Sequence, residues 1–134
     1  MRSEQVCAEV ELGKGERKIK VRALVDTGAS RSVISKKLAD ELAKRKLAVI
    51  VPLEKPYYLR TADKNGKVKI IGRCIVDVVF QGVKVPGGAV FEVAENLRED
   101  LDLIIGRPEI DAWDIIFTPE GPRPRKVPIE FEIV

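Results

Sequence analysis

Histidine is absent from this chain of 134 residues. Its absence excludes Ser-His and Cys-His nucleophilic catalysis and removes the commonest metal ligand. Cysteine is scarce: Cys7 and Cys74 stand far apart and match neither zinc nor Cys-x-x-Cys spacing. They read as free thiols or buried small apolar residues, and no metal or cofactor is expected. There are only seven aromatic residues, basic and acidic residues are interspersed, and the formal charge is +3. That pattern argues against a nucleic-acid platform, which concentrates cations beside aromatics. No apolar run approaches the roughly 18 residues of a membrane span, and the first residues lack the apolar core of a secretory signal. The expected compartment is the cytoplasm, with no membrane contact. Asn and Gln occur only at Gln5, Asn65, Gln81 and Asn96, against 34% charged residues. This bias is typical of heat-adapted proteins, so a melting midpoint well above about 50 °C is expected.

What is present suffices for a core. The chain is 45% hydrophobic and has the length of one domain, 1–134, able to bury its apolar surface without a staple. The periodicity predicts many short strands and two brief helices. Val6, Ala8, Val10 and Leu12 alternate with polar or small residues, Gly13-Lys14-Gly15 turns the chain, and Ile19, Val21, Ala23 and Val25 alternate again. That is a hairpin with one buried face. Ser35 can cap a helix running to Lys46, with Leu38, Ala39, Leu42 and Ala43 on one side. Tyr57–Thr61 and Val68–Gly72 read as strands joined by Ala62-Asp63-Lys64-Asn65-Gly66, where Asn-Gly marks a reversal.

Further strands are predicted within Ile75–Phe80, Val83–Val85, Ala89–Val93, Leu101–Ile105 and Ile115–Phe117, and a short helix begins at Pro108. Thr118–Pro128, with four prolines and the basic residues Arg123, Arg125 and Lys126, reads as an exposed connector. Val127, Ile129, Phe131 and Ile133 alternate as a last strand. The expected class is all-β with closed or strongly curled sheets.

The informative segment is Ala23-Leu24-Val25-Asp26-Thr27-Gly28-Ala29-Ser30. An apolar strand delivers a carboxylate to a turn of small residues. Taken alone, Asp26 can be a structural residue whose side chain caps backbone N–H groups of an Asx-type turn. Far downstream comes Leu103-Ile104-Ile105-Gly106-Arg107, followed by the short helix.

Together these motifs resemble the retropepsin-like aspartic proteases over about Val6 to Phe117. The likeness is to cellular and prokaryotic members, including the retropepsin domain of ubiquitin-shuttle proteases, more than to viral enzymes. It implies a closed β-barrel of the acid protease fold with one or two short helices, assembled as a two-fold homodimer. It implies Asp26 as the catalytic carboxylate, Thr27 as a bond to the partner subunit, and Ile105 and Gly106 as support beside the Asp26 loop. Gly28, Ala29 and Ser30 would line the substrate cleft, and Ala62, Asp63 and Lys64 would lie in the flap. That flap is charged where viral flaps are glycine-rich.

Hydrolysis without histidine or metal needs one carboxylate to activate water and another to protonate the carbonyl oxygen. The chain has one Asp-Thr-Gly turn, so the second carboxylate is expected from another copy. The expected substrate is an extended peptide or an unfolded protein. An alternative is a non-catalytic module of the same fold that binds extended peptides by strand addition.

Overall fold

The computed structural model describes residues 5–60 and 66–125. The flap tip Ala62, Asp63 and Lys64 and the alternating segment 127–133 lie outside the described residues.

The first hairpin forms as its alternation predicts. β1 (Gln5–Leu12) pairs antiparallel with β2 (Ile19–Asp26), setting Ala8 against Ala23 and Val10 against Val21. Because side chains alternate with period two, this register puts Val6, Ala8, Val10, Leu12, Ile19, Val21, Ala23 and Val25 on the inner face and turns Cys7 and Leu24 to the other. β3 (Val33–Ser35) leads directly into α1 (Lys36–Lys44). The Ser35 side chain accepts from the Leu38 backbone N–H at 3.1 Å and so caps the helix. Leu38, Ala39 and Leu42 face inward, while Lys36–Asp40 and Glu41–Arg45 pair along the exposed face.

The next two strands make a long arm. β4 (Ala48–Arg60) and β5 (Lys67–Val76) pair antiparallel, with a register break between Pro52 and Tyr57. Pro52 and Pro56 cannot donate to the ladder, and β4 tolerates them because it lies at a sheet edge. The strand is much longer than Tyr57–Thr61. The apolar run Ile75–Phe80 divides at Asp77, whose carbonyl accepts from the Gly13 N–H at 2.8 Å. Beyond it, β6 (Val78–Phe80) pairs with both β1 and the two-residue β7 (Val83–Lys84).

β8 (Ala89–Ala94) and β9 (Leu103–Ile105) complete the main sheet. Its nine strands run in the order β4-β5-β8-β3-β9-β2-β1-β6-β7. The expected closed barrel is therefore corrected: β4 and β7 end the sheet without pairing to each other among the described residues. The geometry behind this is simple. β7 is only two residues long, and β4 pairs on one edge only, with β5.

α2 (Arg107–Ala112) follows β9, with Pro108 in its first turn. β10 (Ile115–Thr118) then pairs with β11 (Gly121–Pro124) in a separate two-stranded ladder. The first part of the expected connector is thus a strand, in which Pro122 and Pro124 are buried and Arg123 points out.

The main core gathers Leu12, Ile34, Leu42, Phe80, Phe91 and Ile105, with Trp113 tilted against Phe80 at 5.7 Å between ring centres. A smaller cluster of Val33, Val68, Ile70 and Ala94, flanked by Leu59, Leu97 and Ile104, lies under the β4–β5 arm. Both cysteines are free; Cys7 is exposed, whereas burial pushes the Cys74 thiol up to about 11. Among the described residues no helix is long and apolar enough to cross a membrane.

Candidate active site

The site is built where β2 ends. Ala23 and Val25 are fully buried, and the strand carries Asp26 out of the core to a half-buried position. There the chain reverses. The Gly28 N–H donates to Asp26 Oδ1 at 2.8 Å, and the Ala29 N–H donates to the Asp26 carbonyl at 3.1 Å. The Asx-type turn foreseen as the structural reading is therefore present. It fixes the carboxylate by one oxygen, and the other accepts from Gln5 Nε2 at 3.2 Å, across the β1–β2 pair.

A second segment locks this turn from below. β9 is inserted between β2 and β3, parallel to the first and antiparallel to the second. Ile105 pairs with Val25 and is fully buried. Gly106 comes next, and its position demands the absence of a side chain. A Cβ there would lie 2.5 Å from the Arg31 carbonyl oxygen and 2.8 Å from that of Ala29. Its N–H donates to Ser32 Oγ at 2.8 Å, and the Arg107 N–H donates to the Ala29 carbonyl at 2.8 Å. The loop from Asp26 to Ser32 is thus tied at its middle and at its far end to the chain that leads from β9 into α2.

Above the turn lies a cleft of about 500 Å³. Its walls include Asp26, Gly28, Ala29 and Ser30, and its apolar floor is the smaller hydrophobic cluster, notably Val33, Leu59, Val68 and Ile104. Asp26 is the one carboxylate lining it among the described residues. No group of three or more His, Cys, Asp or Glu side chains there is placed to hold a metal ion.

The aspartyl protease family matches residues 8–108 of this sequence, a span that contains the Asp26 turn, β9 and Gly106. The chain belongs to that family. Its fold is the retropepsin fold, mostly β with two short helices. The retroviral protease-like domain of Ddi1 from Leishmania major superposes with a TM-score of 0.62 at 22% identity, over 87% of this chain and 82% of that one. EIAV protease, solved with the inhibitor HBY-793, superposes with a TM-score of 0.52 at 17% identity, over 81% of this chain and 88% of that one. At these identities the likeness concerns the fold. No curated protein matches the sequence.

The structure of this family member brings Asp26, Gly28, Ala29 and Ser30 to one cleft, with Ile105 and Gly106 packed beneath them. Thr27 lies elsewhere. It is half-buried and borders a second hollow of about 570 Å³, with Arg107, Ile110 and Phe117.

Sequence reasoning missed Ser32, which is buried and joins Gly106 to β8 by accepting the Glu92 N–H at its carbonyl, 3.0 Å away. A small polar residue between a turn and a strand carries no local signal for that role. It also missed Gln5 and Arg98 on the cleft walls, whose proximity to Asp26 arises from the fold and not from spacing along the chain, and Arg31, which directly follows the turn.

Proposed function

We propose that the protein is an aspartic endopeptidase that works as a two-fold homodimer, with Asp26 of each subunit forming the catalytic pair. The observation that carries this reading is a single half-buried carboxylate, on a turn locked by Gly106, facing an apolar-floored cleft. Two carboxylates brought to about 3 Å cannot both ionise, so the pair holds one proton and titrates as a unit. The ionised member takes a proton from water as it attacks the peptide carbonyl. The protonated member gives its proton to the carbonyl oxygen.

Gly28 leaves the carboxylate open on its cleft side, while the Gly28 N–H holds Oδ1 in place. In the dimer, Gln5 gives up its place on Oδ2 to the partner carboxylate or the attacking water. Thr27, turned away from the cleft, is placed to bond across to the partner's turn. The β4–β5 arm, with Ala62, Asp63 and Lys64 at its tip, covers an extended peptide and excludes water. No metal or cofactor enters this chemistry.

The test is digestion of an unfolded protein over acidic to neutral pH by wild type and Asp26→Asn, with sedimentation to read the oligomer. Cleavage by the wild-type dimer and none by the folded Asp26→Asn dimer is expected. Persistent cleavage by the variant, or an active monomer, overturns the proposal. Peptide binding by both proteins without cleavage by either would instead favour a binding module.

A further inference from the structure

Among the described residues, the walls of the Asp26 cleft carry an excess of positive charge that is not neutralised. Arg31, Arg60 and Arg98 line the cleft, against the single carboxylate of Asp26. Arg98 is taken up by Asp100, with Nε and Oδ1 2.5 Å apart. The other two guanidiniums are differently placed. Arg31 donates from Nη1 only to the carbonyl of its neighbour Ser30, at 2.9 Å, which leaves most of its five donors for other partners. Arg60 closes β4, and the residue directly across the ladder is Lys67.

Like charges set opposite each other on paired strands repel. Nothing in the first hairpin tolerates this: there Glu9 faces Arg22 and Glu11 faces Lys20. The one buried carboxylate of the arm's surroundings, Glu92, is already engaged by Arg73 and by the Tyr57 hydroxyl. Beneath the cations lies the apolar floor of Val33, Leu59, Val68 and Ile104.

We infer that the cleft selects peptides in which an acidic side chain stands beside apolar ones, with Arg31 and Arg60 receiving the carboxylate. The inference rests on the cleft being the peptide site proposed above, and it adds a substrate class to it. The apolar side chains fill the floor. The carboxylate relieves the Arg60–Lys67 repulsion and meets guanidinium donors suited to paired hydrogen bonds. A basic side chain at the same place meets the two guanidiniums of Arg31 and Arg60, so discrimination arises as much from rejection as from attraction.

Matched peptides test this. Each has an apolar centre and carries Glu, Gln or Lys at one position, scanned along the peptide. Two readouts are taken: kcat/KM with wild type, and binding to folded Asp26→Asn by fluorescence anisotropy. At one or two positions Glu should exceed Lys by about tenfold, with Gln between, and the ratio should shrink as salt rises. The Arg31→Glu/Arg60→Glu double variant should reverse the order in binding. Arg31→Gln/Arg60→Gln, folded by circular dichroism, should flatten it. Equal binding of Glu and Lys peptides at every position, or a preference unchanged in the double variants, overturns the inference while leaving the protease reading intact. Absence of cleavage by wild type, with the binding preference present, overturns the protease reading and leaves this one standing.

Discussion

The two walls of the cleft are built on different principles. The Asp26 wall is held by backbone. Its carboxylate, its turn and its far end are fixed by N–H groups of Gly28, Ala29, Gly106 and Arg107, and β9 fills the space beneath it. The opposing wall is the β4–β5 arm. It is tied to β8 by a broken ladder and by a side-chain link in which the Tyr57 hydroxyl donates to Glu92 Oε1 at 2.8 Å and Arg73 Nε to Oε2 at 3.1 Å. Backbone bonds between packed strands leave one arrangement. Long side chains at a sheet edge leave several of nearly equal energy. A catalytic group needs the first kind of wall, because misplacement of a reacting carboxylate by about 1 Å costs orders of magnitude in rate. A wall that admits substrate needs the second.

The sharpest way to break this contrast is Gly106→Ala. The backbone at Gly106 (φ −100°, ψ −173°) suits any residue, so the expected damage is steric alone. The added Cβ meets backbone oxygens of Arg31 and Ala29, which cannot swing aside as a flexible side chain would. Destabilisation of about 3 kcal/mol and loss of measurable peptidase activity are expected, read by urea unfolding and peptide cleavage. Ser32→Ala comes next. It leaves the buried Gly106 N–H without its acceptor, at a cost of about 1–3 kcal/mol. Because the turn then shifts, kcat should fall more than KM rises. A Ser32→Ala enzyme as stable and as fast as wild type would show that the turn does not depend on its underside.

This difference between the walls also decided what could be read from the sequence. The Asp26 turn and Gly106 were legible because their chemistry is local: small residues at a reversal, an apolar strand ahead, and a glycine where main chains touch. The hairpin of β1 and β2 was legible from alternation. Most of β4 was hidden, since Pro52, Glu54, Lys55 and Pro56 look like a loop and become strand only through pairing with β5 at an edge. β3 has three buried residues and no alternation. Its place is set by β8 and β9, which are distant in the chain. β11 has the sequence of a connector because its prolines mask the strand. The barrel expected from the family likeness is corrected to a sheet whose end strands do not meet among the described residues, since strand patterns do not reveal which edges pair.

On the arm, Glu92→Gln should have an intermediate effect. The shape is kept, but the charge that holds Arg73 and accepts from Tyr57 is gone. Burial first, and the bond to Glu92 second, raise the Tyr57 phenol above its ordinary value of about 10. The folded state therefore retains a proton that the unfolded chain has released. The resulting stability is intact below about pH 10 and is lost as pH climbs through the raised folded value. In Glu92→Gln the folded phenol should titrate at lower pH, followed by ultraviolet titration of the tyrosines, and the alkaline loss should be smaller and end sooner. Global stability near neutrality should drop by about 1 kcal/mol, and KM should change more than kcat, the reverse of Ser32→Ala.

Lys69→Ala should have the least effect, and it tests the contrast from the other side. Lys69 Nζ stands 3.7 Å from Glu95, both side chains partly solvated, so solvent screens the pair. What binds the arm at this point is backbone, because the Lys69 carbonyl accepts from the Glu95 N–H at 2.9 Å and its own N–H donates to Asn96 Oδ1 at 3.0 Å. Both bonds survive the substitution. The unfolding free energy read from urea should change by no more than about 0.5 kcal/mol, and peptide cleavage should be unaltered. A loss as large as that of Ser32→Ala would mean that surface charge, not backbone, fixes the arm at this point.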